Sequence, residues 1–301
     1  MNNTRPGICA LTNEECELQL SHILPKFVWR YQKANGSNYW RDNINPNKIM
    51  QDGPKKYLLG RYAEQEFSKR ETWFANNIFY PFCKNQIKAS KVTYSEDLYF
   101  FCVSVLWRVL LMTKNYIADP KLKAKCIIAL EEWRIYLNGG DIPPTYNRIY
   151  MMPIDKELYN TLWPDFIIPE HIYNEIYWYI LRDTDREIYC EKPNNRAFFC
   201  KIPRFFFWAV IERDDTALNY GLKILPNGGT INFKRYSIGK GEIKTFIFQR
   251  VVNRMKEEEK ARMKLTSTQC DLIKQRTLHD ERLLNSELGV LLRESGKIDM
   301  Y

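Results

Sequence analysis

The longest apolar run in the chain, residues 99–112, is broken by Arg108 and falls short of the ~20 residues that a membrane-spanning helix requires. The chain is therefore read as burying its apolar side chains in a core of its own. At 301 residues, with 45% hydrophobic and 14% aromatic content, it can build one sizeable core or two smaller ones. Its first residues, Met1-Asn2-Asn3-Thr4-Arg5-Pro6, lack the charged and apolar regions of a signal peptide. The expectation is a cytoplasmic protein with no membrane partner. None of its eight cysteines forms a Cys-x-x-Cys pair and several have apolar neighbours, which suits reduced, packed thiols. Cys190 and Cys200 are read as facing each other across a hairpin that turns at Pro193-Asn194-Asn195, as a packing pair.

Pattern changes along the chain set its organisation. Residues 7–22 combine an apolar pair, the polar turn Thr12-Asn13-Glu14-Glu15 and the alternation Leu18-Gln19-Leu20-Ser21-His22, which predicts a β-hairpin with His22 closing its second strand. Residues 23–34 are read as an aromatic-bearing turn or helix, 35–54 as a loop and 57–74 as helical. Apolar residues at helical spacing then predict helices over 95–114 and 120–137, stopped by Gly139-Gly140. The Pro-rich stretch 143–153 is taken as a boundary, followed by a helix over 170–181. Strand character over 187–190, 196–201, 205–212, 217–225 and 230–236 predicts an antiparallel meander with a turn at Gly228-Gly229. Residues 242–292 are read as surface helices, because acids and bases alternate through 256–264.

Charge is unevenly spread. Residues 1–90 hold thirteen Lys and Arg against eight Asp and Glu, a surplus of +5 out of the chain's net +9. A basic segment of this kind suits a polyanionic partner such as DNA, and it equally suits a solvated surface. Lys26, Arg30, Lys55 and Lys56 are the candidates to follow a phosphate backbone, while Phe27, Trp29 and Tyr31 are read as core.

The chain holds three histidines, and His22 lies in the string Leu20-Ser21-His22-Ile23-Leu24-Pro25-Lys26-Phe27. Before it comes Cys9-Ala10-Leu11-Thr12. After it come Gln51-Asp52-Gly53, Leu58-Leu59-Gly60-Arg61-Tyr62-Ala63-Glu64 and Phe67-Ser68-Lys69-Arg70-Glu71-Thr72-Trp73-Phe74. Over about residues 9–80 this resembles bacterial HNH-type, or ββα-metal, endonuclease-like proteins. These carry Cys-x-x-Cys, then Ser-His-Ile-x-Pro-Lys-Phe, then Leu-Cys-x-x-Cys-Glu. The resemblance implies an HNH-like ββα module over 1–90; by pattern alone the rest completes an α+β chain, with a helical segment packed on that module over 91–140 and an α+β C-terminal part of unknown role over 141–301. That part would hold the antiparallel meander and long terminal helices.

The resemblance also implies a chemistry. His22 would be the general base that deprotonates the attacking water, and Glu64 would help hold a catalytic divalent ion, Mg²⁺ or Mn²⁺, since both metals prefer oxygen donors. Ser21 is a poorer metal ligand than the acid or histidine common before that base. Asn45, Asn47 and Asp52 lie where an asparagine orienting the base would be sought. Beside these roles stand plainer ones: a histidine that fixes the turn before Pro25, and an ion pair of Glu64 with Arg61 or Arg70 on one helix. His171 and His279 are read as ordinary residues.

By the same resemblance, Cys9, Thr12, Gly60 and Ala63 occupy the four zinc positions of a knuckle, so one thiol of four survives. Cys16 lies nearby, but two thiols do not close a tetrahedral site. Packing by Leu11, Leu18, Leu20, Leu58, Leu59 and Tyr62 is expected to replace the metal. Two functions follow: a DNA nuclease, by family habit an effector of bacterial antiphage defence beside a partner protein, or an inactive HNH-derived scaffold that binds nucleic acid or protein. Metal analysis of the purified chain is expected to return no stoichiometric zinc, and an equimolar content would overturn this account of the knuckle.

Overall fold

The structure, a computed structural model, describes residues 4–36, 40–41, 48–87, 90–155, 170–192, 195–213, 220–233 and 242–294. In chain order the first elements are β1 (Thr4–Ile8), β2 (Glu15–His22), α1 (Lys26–Ala34), β3 (Trp40–Arg41), β4 (Ile49–Met50) and β5 (Lys55–Gly60). They are followed by α2 (Arg61–Phe74), α3 (Tyr80–Cys83), β6 (Lys91–Tyr94), α4 (Glu96–Thr113), α5 (Pro120–Leu137) and β7 (Ile149–Pro153). The later strands are β8 (Asp185–Lys192), β9 (Asn195–Ile202), β10 (Phe205–Glu212), β11 (Leu222–Ile224) and β12 (Gly229–Asn232). The architecture is α+β with antiparallel sheets, assembled into two compact units, each from three separated segments. One comprises residues 1–25, 54–153 and 184–240; the other comprises 26–53, 154–183 and 241–301.

In the first unit, β1 and β2 form the expected hairpin, with Gly7 opposite Cys16 and Ile8 opposite Glu15. Its turn is closed by Cys9 N–H to the Glu14 carbonyl, and Asn13 takes the left-handed conformation, φ 60°, that asparagine tolerates better than most side chains. β5 pairs with the far side of β2, giving the order β1-β2-β5, and His22 lies opposite Lys55. The stretch from Tyr57, expected to be helical, runs as strand as far as Gly60, and α2 begins at Arg61. A strand wins there because it satisfies the free edge of β2. Leu58 is an extra residue in β5 between the pairs Gln19–Leu59 and Leu20–Tyr57, and its carbonyl accepts from Ala10 N–H at 2.9 Å. This bulge turns the consecutive Leu58 and Leu59 both inward, where they are buried. At the other end of the pair, Ile23 N–H donates to the Pro54 carbonyl at 3.1 Å.

α2 passes into a π-helical turn, Ala75–Phe79, before α3, whose Pro81 has no N–H to donate. The wider turn accommodates the ring that a regular helix would exclude. α4 is capped by Ser95, whose hydroxyl accepts from Asp97 N–H, and its acidic first turn complements the helix dipole. α5 starts at Pro120 with Asp119 as cap and ends before Gly139 in a left-handed conformation, as its sequence predicts.

The larger sheet of this unit has five strands in the order β11-β7-β10-β9-β8. β8, β9 and β10 form the meander, but β7 lies beside β10 and is buried throughout, so residues 149–153 are a sheet strand and not a loose boundary. β12 pairs with β6 in a separate ribbon. The register of β8 on β9 sets Cys190 opposite Arg196 and Cys200 opposite Arg186, so the two cysteines do not face each other. The residues at 193–194, in the predicted turn, lie outside the described ones. The core is aromatic: Phe74 stacks on Phe101 with centroids 3.9 Å apart and meets the edges of Phe205 and Phe207.

In the second unit, α1 buries Phe27 and Trp29, in keeping with their reading as core, while Tyr31 is half-buried. The stretch read as a loop contains one short ribbon, Trp40 opposite Met50. A small core joins Tyr177, Leu181, Leu283 and Leu292, and Arg254 pairs with Asp183 at 3.3 Å. The C-terminal helices Glu242–Arg262 and Ser267–Leu278 match the expected helical character, the second opened by a Thr266–Gln269 capping box. Among the described residues no helix is long and apolar enough to cross a membrane. Replacing Phe74 by alanine is expected to cost about 3–5 kcal/mol by leaving an aromatic-sized cavity, read as a lowered urea midpoint for the first unit.

Candidate functional site

α2 leaves β5 directly, and residues 64, 67 and 71 recur on one of its faces at helical spacing. Phe67 on that face is buried, with Trp107 and Phe100 of α4 packed edge-on against it. α4 therefore lies against the face that carries Glu64 and Glu71, and from it Arg108 reaches toward the end of β2.

Arg108 is 3% exposed, in a helix that is otherwise almost wholly apolar on its buried positions. A guanidinium can be buried only if its donors are used. Its Nε donates to the Ser104 carbonyl at 3.2 Å and its Nη1 to the His22 carbonyl at 3.1 Å. Nη2 stands 2.7 Å from Glu71 Oε1, and the guanidinium carbon lies 5.2 Å from the Phe67 ring centre. The Arg108 that interrupts the longest apolar run is thus a clamp between α4, α2 and the last residue of β2.

Glu71 is the electrostatic centre of this neighbourhood. Burial pushes its carboxyl above the usual carboxylate range, the Arg108 guanidinium opposes that shift, the charge of Glu64 adds to it and His22 subtracts from it. His22, Glu64, Glu71 and Arg108 accordingly share one field. The Nη2 contact is better described as a close ion pair than as a hydrogen bond, since Nη2 has no partner of hydrogen-bonding geometry. Glu64 is half-buried, and its Oε1 is shut off from water with no hydrogen-bond partner. A buried carboxylate oxygen left unsatisfied is uncommon. The ion pair of Glu64 with Arg70 expected from spacing does not form: Arg70 binds Glu66 at 3.0 Å and Asp97 at 3.3 Å. Ser21, 1% exposed, donates its hydroxyl to the Gln19 carbonyl at 3.3 Å.

The family resemblance pointed to His22 and Glu64 and did not mark Glu71 or Arg108. The signals were present, in a carboxylate two helical turns beyond Glu64 and in a lone cation within an apolar run. Lys55 and Lys56 are exposed opposite His22 and Ser21. Lys26 and Arg30 belong to the second unit, where both are exposed one turn apart on α1. Asn45 and Asn47 lie outside the described residues, and the Asp52 carboxylate accepts from Gly53 N–H. His279 caps the helix Ser267–Leu278, and the side chain of His171 is outside the described set.

The four knuckle positions are also visible. Cys9 is buried in the hairpin turn, its sulfur accepting from Gly60 N–H at 3.3 Å, and Thr12 also hydrogen-bonds it. Ala63 is buried in the first turn of α2. Leu11, Leu18, Leu58 and Leu59 pack the module, and Leu20 is half-buried. Tyr62, expected to join them, is 69% exposed because it faces outward from α2. Thr12, Gly60 and Ala63 offer no thiolate or imidazole, so the set does not fit structural zinc. Among the described residues no three His, Cys, Asp or Glu side chains converge as a metal site.

A cavity of about 350 Å³ opens elsewhere in this unit, lined by Leu110, Thr113, Asp119, Leu122, Arg186 and Phe198 among others. It contains none of His22, Glu64, Glu71 or Arg108, and its one lining aspartate is already paired with Arg196. Its size does not make it the chemical centre. Comparisons with protein-family models, with curated proteins and with solved structures found no match to this chain.

A carboxyl that holds its proton more tightly folded than unfolded favours folding at low pH. That contribution is full below the ordinary carboxylate range and is lost as pH rises through the higher folded value. Glu71→Gln is therefore expected to gain stability relative to the parent chain as pH is raised, measured as the difference between their denaturation midpoints across that range.

Proposed function

We infer that the chain is an HNH-like, metal-dependent nuclease acting on DNA, with His22 as general base and Glu64 as the carboxylate that receives the divalent ion. The observation that carries this reading is the buried, unpartnered Oε1 of Glu64 in the same electrostatic neighbourhood as His22. The order of strand, strand and helix, with His22 ending β2 and Glu64 in the first turn of α2, supports it as well. It accords with the resemblance found in the sequence.

Mg²⁺ or Mn²⁺ is commonly held by one or two protein carboxylates, with phosphate oxygens and water completing the shell, and Glu64 would supply one such carboxylate. When bound, such an ion neutralises charge that develops on the scissile phosphate. The chain's own residues do the rest. His22, fixed through its carbonyl by Arg108, accepts the proton of the attacking water. Lys55 and Lys56, on the strand beside it, supply positive charge to the phosphate backbone. Lys26 and Arg30 form a separate basic pair on α1 of the second unit. Glu71 holds Arg108 in place and touches no substrate in this scheme. A cytoplasmic role in bacterial antiphage defence, beside a partner protein, completes the proposal.

A second reading has its own support. Ser21 is buried and engaged with Gln19, and no third metal-binding side chain joins His22 and Glu64 among the described residues. This suits an inactive scaffold that binds nucleic acid or protein. Incubation with plasmid and single-stranded DNA in Mg²⁺ or Mn²⁺ separates the two. Cleavage is expected from the parent chain, with a loss of about 10²-fold or more in His22→Ala. Glu64→Gln is expected to lose cleavage while melting no lower than the parent, because it removes an unsatisfied buried charge. Intact DNA in all samples, with binding retained, would favour the scaffold.

A further inference from the structure

The hairpin turn brings together two thiols that the nuclease reading leaves unused. Cys9 N–H pairs with the Glu14 carbonyl and Gly7 lies opposite Cys16, so Cys9 and Cys16 are diagonal neighbours on one face of the β1–β2 ribbon. The missing side chain of Gly60 creates the space they share. A Cβ there would sit 2.8 Å from Cys16 Sγ and 3.9 Å from Cys9 Sγ, so both sulfurs border one point. Gly60 has ordinary extended backbone angles, φ −70° and ψ 166°, so its lack of a side chain matters here for space and not for conformation.

The two sulfurs differ in a useful way. Burial acts to raise the Cys9 thiol, but the N–H groups of Gly60, Thr12 and Leu11 and the Thr12 hydroxyl outweigh it and hold Cys9 below the ordinary thiol range. Burial, the charge of Cys9 and a side-chain hydrogen bond to Cys9 raise Cys16. Cys9 is thus the more acidic of the two thiols, and a side-chain hydrogen bond joins it to Cys16. Cys9 is 1% exposed and Cys16 is half-buried, so a small reagent has better access past Cys16 than a bulky disulfide. The buried Cys126 and Cys200 are pushed up to about 12 by desolvation and remain protonated.

We propose that Cys9 and Cys16, meeting over Gly60, form a peroxide-responsive dithiol that closes reversibly to a disulfide. The Cys9 thiolate attacks one oxygen of hydrogen peroxide and breaks the O–O bond, giving a sulfenic acid and hydroxide. The hydroxide takes the proton of Cys16 and becomes water. The Cys16 thiolate then attacks the Cys9 sulfur, forming the S–S bond and expelling hydroxide. Each sulfur is oxidised by one electron overall, and the peroxide is reduced by two. This function does not depend on the nuclease reading.

The test uses the full chain, treated with hydrogen peroxide, then unfolded and alkylated, cleaved after Glu14 or Glu15 to separate the two cysteines, and mapped by mass spectrometry. The expected result is a joint loss of alkylation at Cys9 and Cys16, a cross-link between their two peptides, and recovery of both thiols with dithiothreitol. Cys126 and Cys200 should remain alkylated. Gly60→Ala retains both thiols and inserts a methyl group against the end of the Cys16 side chain, so it is expected to lose the cross-link while keeping the parent's circular dichroism. Absence of the Cys9–Cys16 link in the parent chain would overturn the proposal, as would an equal yield in Gly60→Ala. Stoichiometric zinc that protects both thiols from peroxide would also overturn it.

Discussion

The buried guanidinium of Arg108 is the constraint on which the first unit's site depends. Placing a cation inside an apolar helix is tolerable only when every direction around it is answered, here by two carbonyls, a carboxylate and an aromatic face. Those partners come from three elements, so the requirement of one side chain fixes the separations of α4, α2 and the end of β2. The orientation of His22 is a by-product. Arg108 holds its carbonyl, which ties the end of β2 to α4.

The same economy operates at the hairpin turn. The Cys9 sulfur accepts backbone N–H groups much as a metal-bound thiolate would, though the other positions hold Thr12, Gly60 and Ala63. The buried Leu11, Leu18, Leu58 and Leu59 pack the same module, and Arg134 of α5 donates to the Leu11 carbonyl at 2.8 Å. Hydrogen bonds from a neighbouring helix and apolar contact together do what coordination does in small zinc modules, namely pin a short turn to the strand that follows it.

Much of the secondary structure was legible in the sequence because it rests on local chemistry. Ser95 and Asp119 as caps, Gly139 as stop and the alternation around Leu18 each carry their signal within a few residues. The errors share a cause, which is pairing between distant segments. Residues 57–60 look helical in isolation and become strand because β2 has an open edge; residues 149–153 look like a linker and become strand because β10 does. The two units are likewise built from interleaved segments, which no linear boundary can represent. At the site, His22 and Glu64 stood out through a known motif, whereas Glu71 and Arg108 acquire meaning only once α2 and α4 lie side by side. The pairing of Cys190 with Cys200 failed for a related reason, since spacing around a turn does not fix a register.

The hydrogen bond from Ile23 to Pro54 marks the point where the chain departs from β2 and returns to β5. Everything between, residues 26–53, belongs to the other unit. Because the ladder of β2 on β5 already holds the two ends together, the entropy of closing that excursion grows only slowly with its length. Lengthening, shortening or exchanging that excursion should therefore cost the β2–β5 pair little, which makes the crossing between Ile23 and Pro54 a natural place for insertion.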